Sequence, residues 1–479
     1  MRRLCLFALL ALPLFARATP PQDQWFTVLL DGRKIGSFES KREPDGANIV
    51  TTQKLDLVLD RAGVRVALGS SEASTETKDG KPLAFRSVSQ LSGSETVIEG
   101  GVHGDVIQIS TRSGGAQAQQ RQMAWPRGAL LPEGLRLVGL RAGLKPGTNY
   151  QALSFQPSSL DAAEVGSRVQ TKEDVDLPGG RRNLILVEQT IAFPGAPMRT
   201  RAWLDEDQTV YKLTMPVMGV ELTLLACERA CATAPNQESD VFERTLMPSP
   251  RPLKASELAG TMRYTLAPRE HGLPLALPDT DEQQVVHKGD HIEVTIQRTA
   301  ASHSEKKPDK DDFAPNDWLQ SQSPELQSLA RHAAGAAGTP RERMLRIEAF
   351  VRGFIRNKTL GVGYASALEV ARNPEGDCTE HAVLVAALGR SIGIATRVVD
   401  GLAYAPDFAG KNQVFVPHAW AQAWVDGRWQ SFDAALLGFD AGHIALSVGD
   451  GDPWRFFAGL DLLGRIDLRN AESVATSIP

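Results

Sequence analysis

The chain has 479 residues, a formal net charge of −5, 42% hydrophobic and 23% charged residues. That length suits two or three domains, and the apolar content supports a sizeable core. The mildly acidic balance leaves no footprint for nucleic acid or anionic lipid.

Residues 1–18 read as an export signal. Arg2 and Arg3 precede an apolar stretch from Leu4 to Phe15, and Ala16-Arg17-Ala18 is a small-x-small cleavage site. The run is too short to remain as a membrane-spanning helix, and no later run is long and apolar enough. Cleavage near Thr19 removes three arginines and no acid, which moves the charge from −5 to −8. The expected product is a soluble periplasmic protein, with secretion as the alternative.

Residues 19–240 read as a β-rich domain, an antiparallel sheet or sandwich. Trp25–Leu30, the turn Asp31-Gly32 and Lys34–Glu39 form a hairpin signature. Further strands are expected at 55–59, 64–68, 106–109, 183–187, 210–215 and 220–224, and no amphipathic helix is expected among them. Cys227 and Cys231 are spaced to close a small disulfide loop in an oxidising compartment. No second pair or nearby histidine completes a zinc site. Residues 250–299 form a β segment or small β domain after a Pro-rich passage. The mixed charges of residues 300–315 mark a solvated linker. Residues 316–479 combine helices and strands as an α+β domain, with Thr339 as N-cap and Pro340 opening a helix that runs to about Asn357.

With Cys227 and Cys231 paired, Cys378 is left odd, and an odd thiol in an exported protein calls for an explanation. It sits in Gly376-Asp377-Cys378-Thr379-Glu380-His381, ahead of apolar residues at helical spacing that end at Gly393. A thiol in a first helical turn faces unpaired N–H groups and the positive end of the dipole, which favour a thiolate. Downstream, His418–Val425 alternates as a strand, Asp426-Gly427 supplies a two-residue turn, and Arg428–Asp433 returns. In that register Trp424 pairs with Trp429 and Trp420 with Asp433. His418 then shares a face with Asp433, roughly 7–8 Å away on the diagonal. A one-residue slip would put Asp433 on the other face. His381, three residues after Cys378, competes for the role of base, but no carboxylate orients it.

These segments resemble the transglutaminase-like superfamily, a variant of the papain-like cysteine protease fold. The resemblance covers roughly the last third of the chain. It rests on Gly376–Ala382, Leu388–Gly401, His418-Ala419-Trp420 and Asp426–Asp433. It implies a Cys378 nucleophile, a His418 base and an orienting Asp433. It also suggests Tyr364 and Trp420 as possible oxyanion or pocket residues, although packing explains Tyr364 more simply. Two positions depart from the family pattern: Ala434-Ala435 replace a common Pro-Thr, and Gln422 stands where Glu is frequent. No cofactor or metal is implied. The expected chemistry is acyl transfer on protein or peptide amides through a thioester, ending in hydrolysis or in amine transfer. An envelope protein or a peptidoglycan peptide fits as substrate. The other reading is a non-catalytic envelope scaffold that binds through its β domains.

Overall fold

The computed structural model describes residues 22–61, 63–91, 94–113, 118–192, 198–217, 220–240, 245–269, 275–297, 305–336, 338–361, 364–451, 462–463 and 465–474. The export signal read over residues 1–18 lies outside them. Two compact units emerge, residues 1–60 with 65–239 and residues 61–64 with 240–479.

The first unit is built on a 15-stranded sheet. From Gln119–Ala124 its path steps back strand by strand to Gln22–Leu30. It then passes to Val220–Cys227 and steps back again to Ala129–Leu130. The turn Asp31-Gly32 has positive φ at both residues, as the shortest hairpins require. Phe85, Ile98, Ile107 and Ile109, from one arm of this path, share a buried cluster with Leu131, Phe155 and Leu160 from the other. The sheet therefore curls until its arms meet, with the Phe85 and Phe155 rings 5.2 Å apart. Cys227 and Cys231 are joined in a disulfide whose Cα atoms lie 6.0 Å apart.

Two features of this unit differ from the sequence expectation. Several strands, among them Pro82–Leu91, Asn149–Gln156 and Met198–Leu204, had no clear hydrophobic alternation. Their buried faces carry polar residues: Ser87, Ser154, Gln156 and Thr200 are all inside, as are Gln53 and Thr111 on other strands of the sheet. A helix is also present at Pro132–Ala142, where none was expected. Its interior glycines give it weak intrinsic propensity, so tertiary contacts hold it. The Glu76 carboxylate accepts from the N–H of Glu133 at 2.7 Å and of Gly134 at 2.9 Å, which caps the helix start. Glu133 is then bound by Arg42 and Arg136.

The second unit contains, in chain order, β1 (Thr261–Pro268), β2 (Gln283–Lys288), β3 (His291–Gln297), α1 (Pro324–Ala334), α2 (Pro340–Phe354), α3 (Ala367–Arg372) and α4 (Cys378–Ser391). There follow β4 (Thr396–Phe408), β5 (Lys411–Val425), β6 (Arg428–Phe432), β7 (His443–Gly449) and β8 (Ile466–Val474). One sheet runs β2-β3-β1-β8. The other runs from the short strand Met247–Pro248 through β5 and β4 to β7, with β6 also on β5. Helices α1 to α3 pack on α4, and α4 packs on β4 and β5. Thr339 caps α2 as its sequence suggests, with Glu342 closing the capping box.

Residues 250–299 lie within this second unit. Met262, Tyr264 and Leu266 of β1 and Ile292, Val294 and Ile296 of β3 share one core with Leu402, Phe415, Trp420 and Ile444 of the other sheet. The charged stretch read as a solvated linker is also tied down over its described part. Glu305 pairs with Arg397 at 2.7 Å, and the Lys306 carbonyl accepts from Trp429 Nε1 at 3.2 Å. A buried arginine on β4 demands an opposite charge, and Glu305 supplies it.

Because the arms of the first sheet meet through few large side chains, Phe155→Ala is expected to destabilise that unit by about 3–5 kcal/mol. Urea unfolding, with hydrogen exchange to localise the loss, measures this. A loss below about 1 kcal/mol would mean that the cluster does not hold the curl.

Candidate functional site

Cys378 is the first residue of α4, half-buried and outside any disulfide. Asp377 is the N-cap: its Oδ1 accepts from Thr379 N at 2.9 Å and from Thr379 Oγ1 at 2.8 Å. Glu380 closes the box, accepting from Asp377 N at 2.8 Å and from Ala365 N at 2.9 Å. Gly376 lets Glu380 reach back, since a Cβ there would come within 2.4 Å of the Glu380 side chain, and its φ of 145° disfavours other residues. Burial, followed by the charge of Asp377, pushes Glu380 up to about 8. Burial thus favours the neutral form of Glu380 in the turn that bears the thiol. Asp377 uses the Thr379 N–H, so this helix start offers less to an anion than the bare sequence suggests.

His381 is buried. Its Nδ1 lies 2.6 Å from the Asp377 carbonyl, and its Nε2 has no hydrogen-bond partner among the described residues. Burial is the main cause that lowers its pKa. The ring is held by backbone, and burial favours its neutral form.

The hairpin that follows has the register read from the sequence: Val425 pairs with Arg428, Trp424 with Trp429 and Ala421 with Phe432. Asp426 and Gly427 form the turn, both at positive φ. Asp433 stands one residue beyond β6, on the His418 face, and His418 Nε2 lies 2.9 Å from Asp433 Oδ2. The carboxylate is held on every side. Its Oδ1 accepts from Ala435 N at 2.9 Å and Leu436 N at 3.1 Å, and the Asp433 backbone N–H donates to Glu348 Oε1 at 3.0 Å.

One member of this cluster has no sequence signal. His443, the first residue of β7, places Nε2 3.0 Å from the same Asp433 Oδ2, and its Nδ1 lies 3.0 Å from Asp440 Oδ1. Burial would raise the Asp433 carboxyl, but the charge of His418 and hydrogen bonds from both rings hold it far below the usual carboxylate range. Burial likewise disfavours a charged His443, yet hydrogen bonds to Asp433 and Asp440 push it up to about 9.

The two imidazoles come from strands on either side of β4. His418 faces Gly401 and His443 faces Ala403. Over these small residues the rings approach to 5.6 Å between centroids. A Cβ on Gly401 would sit 2.1 Å from the Ile444 carbonyl and 2.9 Å from the Trp420 ring. The ligand-type atoms of His418, Asp433 and His443 lie within 4.8 Å of one another, a donor set that also suits a divalent transition metal. Both imidazoles converge on the single oxygen Oδ2, each within hydrogen-bond distance.

Comparison with known proteins bears on one stretch of the chain. The model of the transglutaminase-like superfamily matches residues 327–434. This stretch is a transglutaminase-like domain. No curated protein matches the chain. Among solved structures, a candidate cysteine protease from Cytophaga hutchinsonii is 19% identical, covering 46% of this chain and 84% of its own, with a TM-score of 0.27. A candidate protease from Parabacteroides distasonis ATCC 8503 is 12% identical over 74% of this chain and 69% of its own, with a TM-score of 0.21. A candidate exported protein with a YmcC-like fold from Bacteroides fragilis NCTC 9343 is 11% identical, covering 44% of this chain and 96% of its own, at a TM-score of 0.18. No helix among the described residues is long and apolar enough to cross a membrane.

The remaining residues suggested by the resemblance are packed into the transglutaminase-like domain. Tyr364 is buried edge-on against Trp318, and its hydroxyl donates to the Gly451 carbonyl at 2.8 Å. That is a packing role. Trp420 is buried behind His418, and its Nε1 donates to Ser431 Oγ at 3.0 Å. Gln422, in place of a common Glu, bonds Arg397 at 2.6 Å and donates to Glu282 at 3.3 Å.

Glu282 belongs to a buried strap, Asp281-Glu282-Gln283, that covers the open edge of β6. Asp281 accepts from Trp429 N at 2.9 Å, and Glu282 accepts from Ser431 N at 3.1 Å and from its hydroxyl. Gln283 bonds both backbone groups of Ala445 on β7. An edge strand's free N–H groups are thereby filled by side chains. Burial pushes Glu282 up to about 7.

Two predictions follow from this geometry. Gly401→Ala is expected to cost about 1–3 kcal/mol by overpacking, measured by thermal or urea unfolding; an unchanged midpoint would contradict the close approach across β4. The second concerns pH. Glu72, Glu76, Glu282 and Glu380 are raised from 4.5 to about 7, 7, 7 and 8. The folded state therefore keeps protons that the unfolded chain releases, and stability falls as pH rises through that window. His443, raised from 6.5 to about 9, adds stability below 6.5 that is lost as pH climbs through 9. Asp433, depressed, adds stability above 3.8 that is lost in acid. Thermal midpoints are expected to peak between about pH 4 and 5 and decline toward pH 9. A midpoint that rises from pH 5 to 8 would contradict these assignments.

Proposed function

We propose that the second unit is a thiol-dependent acyl-transfer enzyme acting on protein or peptide amides. Cys378 is the nucleophile, His418 the base and Asp433 the group that orients it. The observation that carries this reading is the buried 2.9 Å bond between His418 Nε2 and Asp433 Oδ2, on a strand against which the Cys378 helix packs. With Nε2 committed to the carboxylate, Nδ1 is the nitrogen available to a thiol. His418 takes the Cys378 proton through Nδ1, and the thiolate attacks the substrate carbonyl carbon. The same proton passes to the departing amine as the C–N bond breaks, leaving a thioester. Water then yields an acid, or a primary amine a new amide, and the thiol is regenerated. Because Asp377 occupies part of the helix start, the His418 imidazolium is the main counter-charge of the thiolate. The export signal supports a periplasmic setting, or a secreted one, where envelope proteins and peptidoglycan peptides are the amides at hand.

Iodoacetamide alkylation of the full chain, followed by mass spectrometry, tests this. Near pH 6.5, Cys378 is expected to react at least about tenfold faster in wild type than in His418→Ala, with Asp433→Asn between them. Incubation with periplasmic extract and a biotinylated amine then separates amine incorporation from cleavage. Slow alkylation that ignores His418 would favour the non-catalytic scaffold.

A further inference from the structure

We propose that His443 is a positioning residue for the Asp433–His418 pair, an imidazolium anchored on Asp440 that shares Asp433 Oδ2 with His418. The inference rests on the acyl-transfer reading above and extends it to a residue outside the 327–434 match.

Three observations carry it. The first is convergence: Asp433 Oδ2 lies 2.9 Å from His418 Nε2 and 3.0 Å from His443 Nε2, while Oδ1 takes two backbone N–H groups. A carboxylate with both oxygens occupied in this way cannot rotate away from the base. The second is anchoring. His443 Nδ1 lies 3.0 Å from the Asp440 carboxylate and 3.1 Å from its carbonyl, with the Asp440 N–H 3.3 Å away, so the ring is gripped at both nitrogens. The third is enclosure. His443 and Asp433 are 3% and 0% exposed, and the Trp420 and Phe439 rings pack on the histidine. Two carboxylates flanking a histidine in such a place favour its charged form, in line with its raised pKa.

The charged groups facing His443 are Asp433, Asp440 and the His418 ring. On β1, Tyr264 feels the charge of Asp440 and keeps its hydroxyl on the Ala441 carbonyl. On α4, His381 feels Asp433, Asp377 and Lys358. Within this set the His443 charge offsets that of Asp433. It keeps the carboxylate ionised and in place while limiting how strongly that carboxylate stabilises a protonated His418. A base held this way takes the thiol proton and still releases it to the leaving amine. The His443 proton itself does not move in the reaction.

The test uses the full chain and the pH dependence of Cys378 alkylation by iodoacetamide. His443→Gln keeps an N–H donor near Asp433 without the charge, and His443→Leu keeps neither. In His443→Gln, the alkylation rate is expected to stay within about threefold of wild type. The upper transition, where His418 loses its proton, moves up by about one pH unit because a neighbouring cation is gone. In His443→Leu, the His418-dependent rate drops by about 10–100-fold, the usual cost of losing an orienting partner. Profiles of both variants that superimpose on wild type would overturn the role, leaving His443 as filling. Should His443→Leu not fold, ¹⁵N-histidine spectra of the wild-type chain decide: one ring is expected to keep both N–H protons to pH 8, and its signal to vanish in His443→Gln. A His443 ring that is neutral at pH 7 overturns the proposal. If wild-type alkylation does not depend on His418, the acyl-transfer reading itself fails and takes this role with it.

Discussion

A single buried carboxylate organises the second unit. Asp433 is removed from water, where a bare charge is expensive, and its two oxygens collect four donors from three separate pieces of chain. One imidazole arrives on β5, the other on β7, and the backbone just past β6 closes the remaining side. Each of these approaches requires the sheet to be in register, and the register requires small residues at the centre of β4. The arrangement of strands and the arrangement of charges are one constraint seen from two sides.

The thiol's surroundings are less generous than a helix start alone implies. Asp377 and Glu380 form a capping box around Cys378, and the box brings two acids to the place where a thiolate would develop. Burial resolves the conflict by keeping Glu380 largely protonated near neutrality. What remains is a rigid first turn whose electrostatics depend on the imidazole opposite. This shifts the weight of any activation from the helix to His418.

Local signals made the α4 start and the β5–β6 hairpin readable. A capping Asp, an i+3 Glu and a Gly at positive φ mark the first, and Asp426-Gly427 fixes the register of the second. That register by itself puts His418 and Asp433 on one face. His443 was not legible, because its approach to Asp433 depends on the pairing of β4 with β7, a long-range contact with no spacing rule. The same holds for Asp281 and Glu282, far from β6 in sequence yet seated along its edge. In the first unit, the hairpin at Asp31-Gly32 was plain, but strands whose inner positions are Ser, Thr and Gln carry no period-two signal. Helix Pro132–Ala142 was hidden for a related reason: its stability comes from Glu76 and Arg42, not from its own residues.

The strap at Asp281–Gln283 bears on where the working module begins and ends. The recognisable stretch stops at residue 434 and starts at 327, but the groups that close the β6 edge come from well before it, and the second ring on the buried acid comes from after it. β1 and β3, also upstream, share their core with the strand that carries the imidazole. The matched stretch is therefore only the central portion of a unit whose core extends on both sides of it. A fragment excised at residues 327 and 434 would lack the groups that close the β6 edge and the second ring on the buried acid.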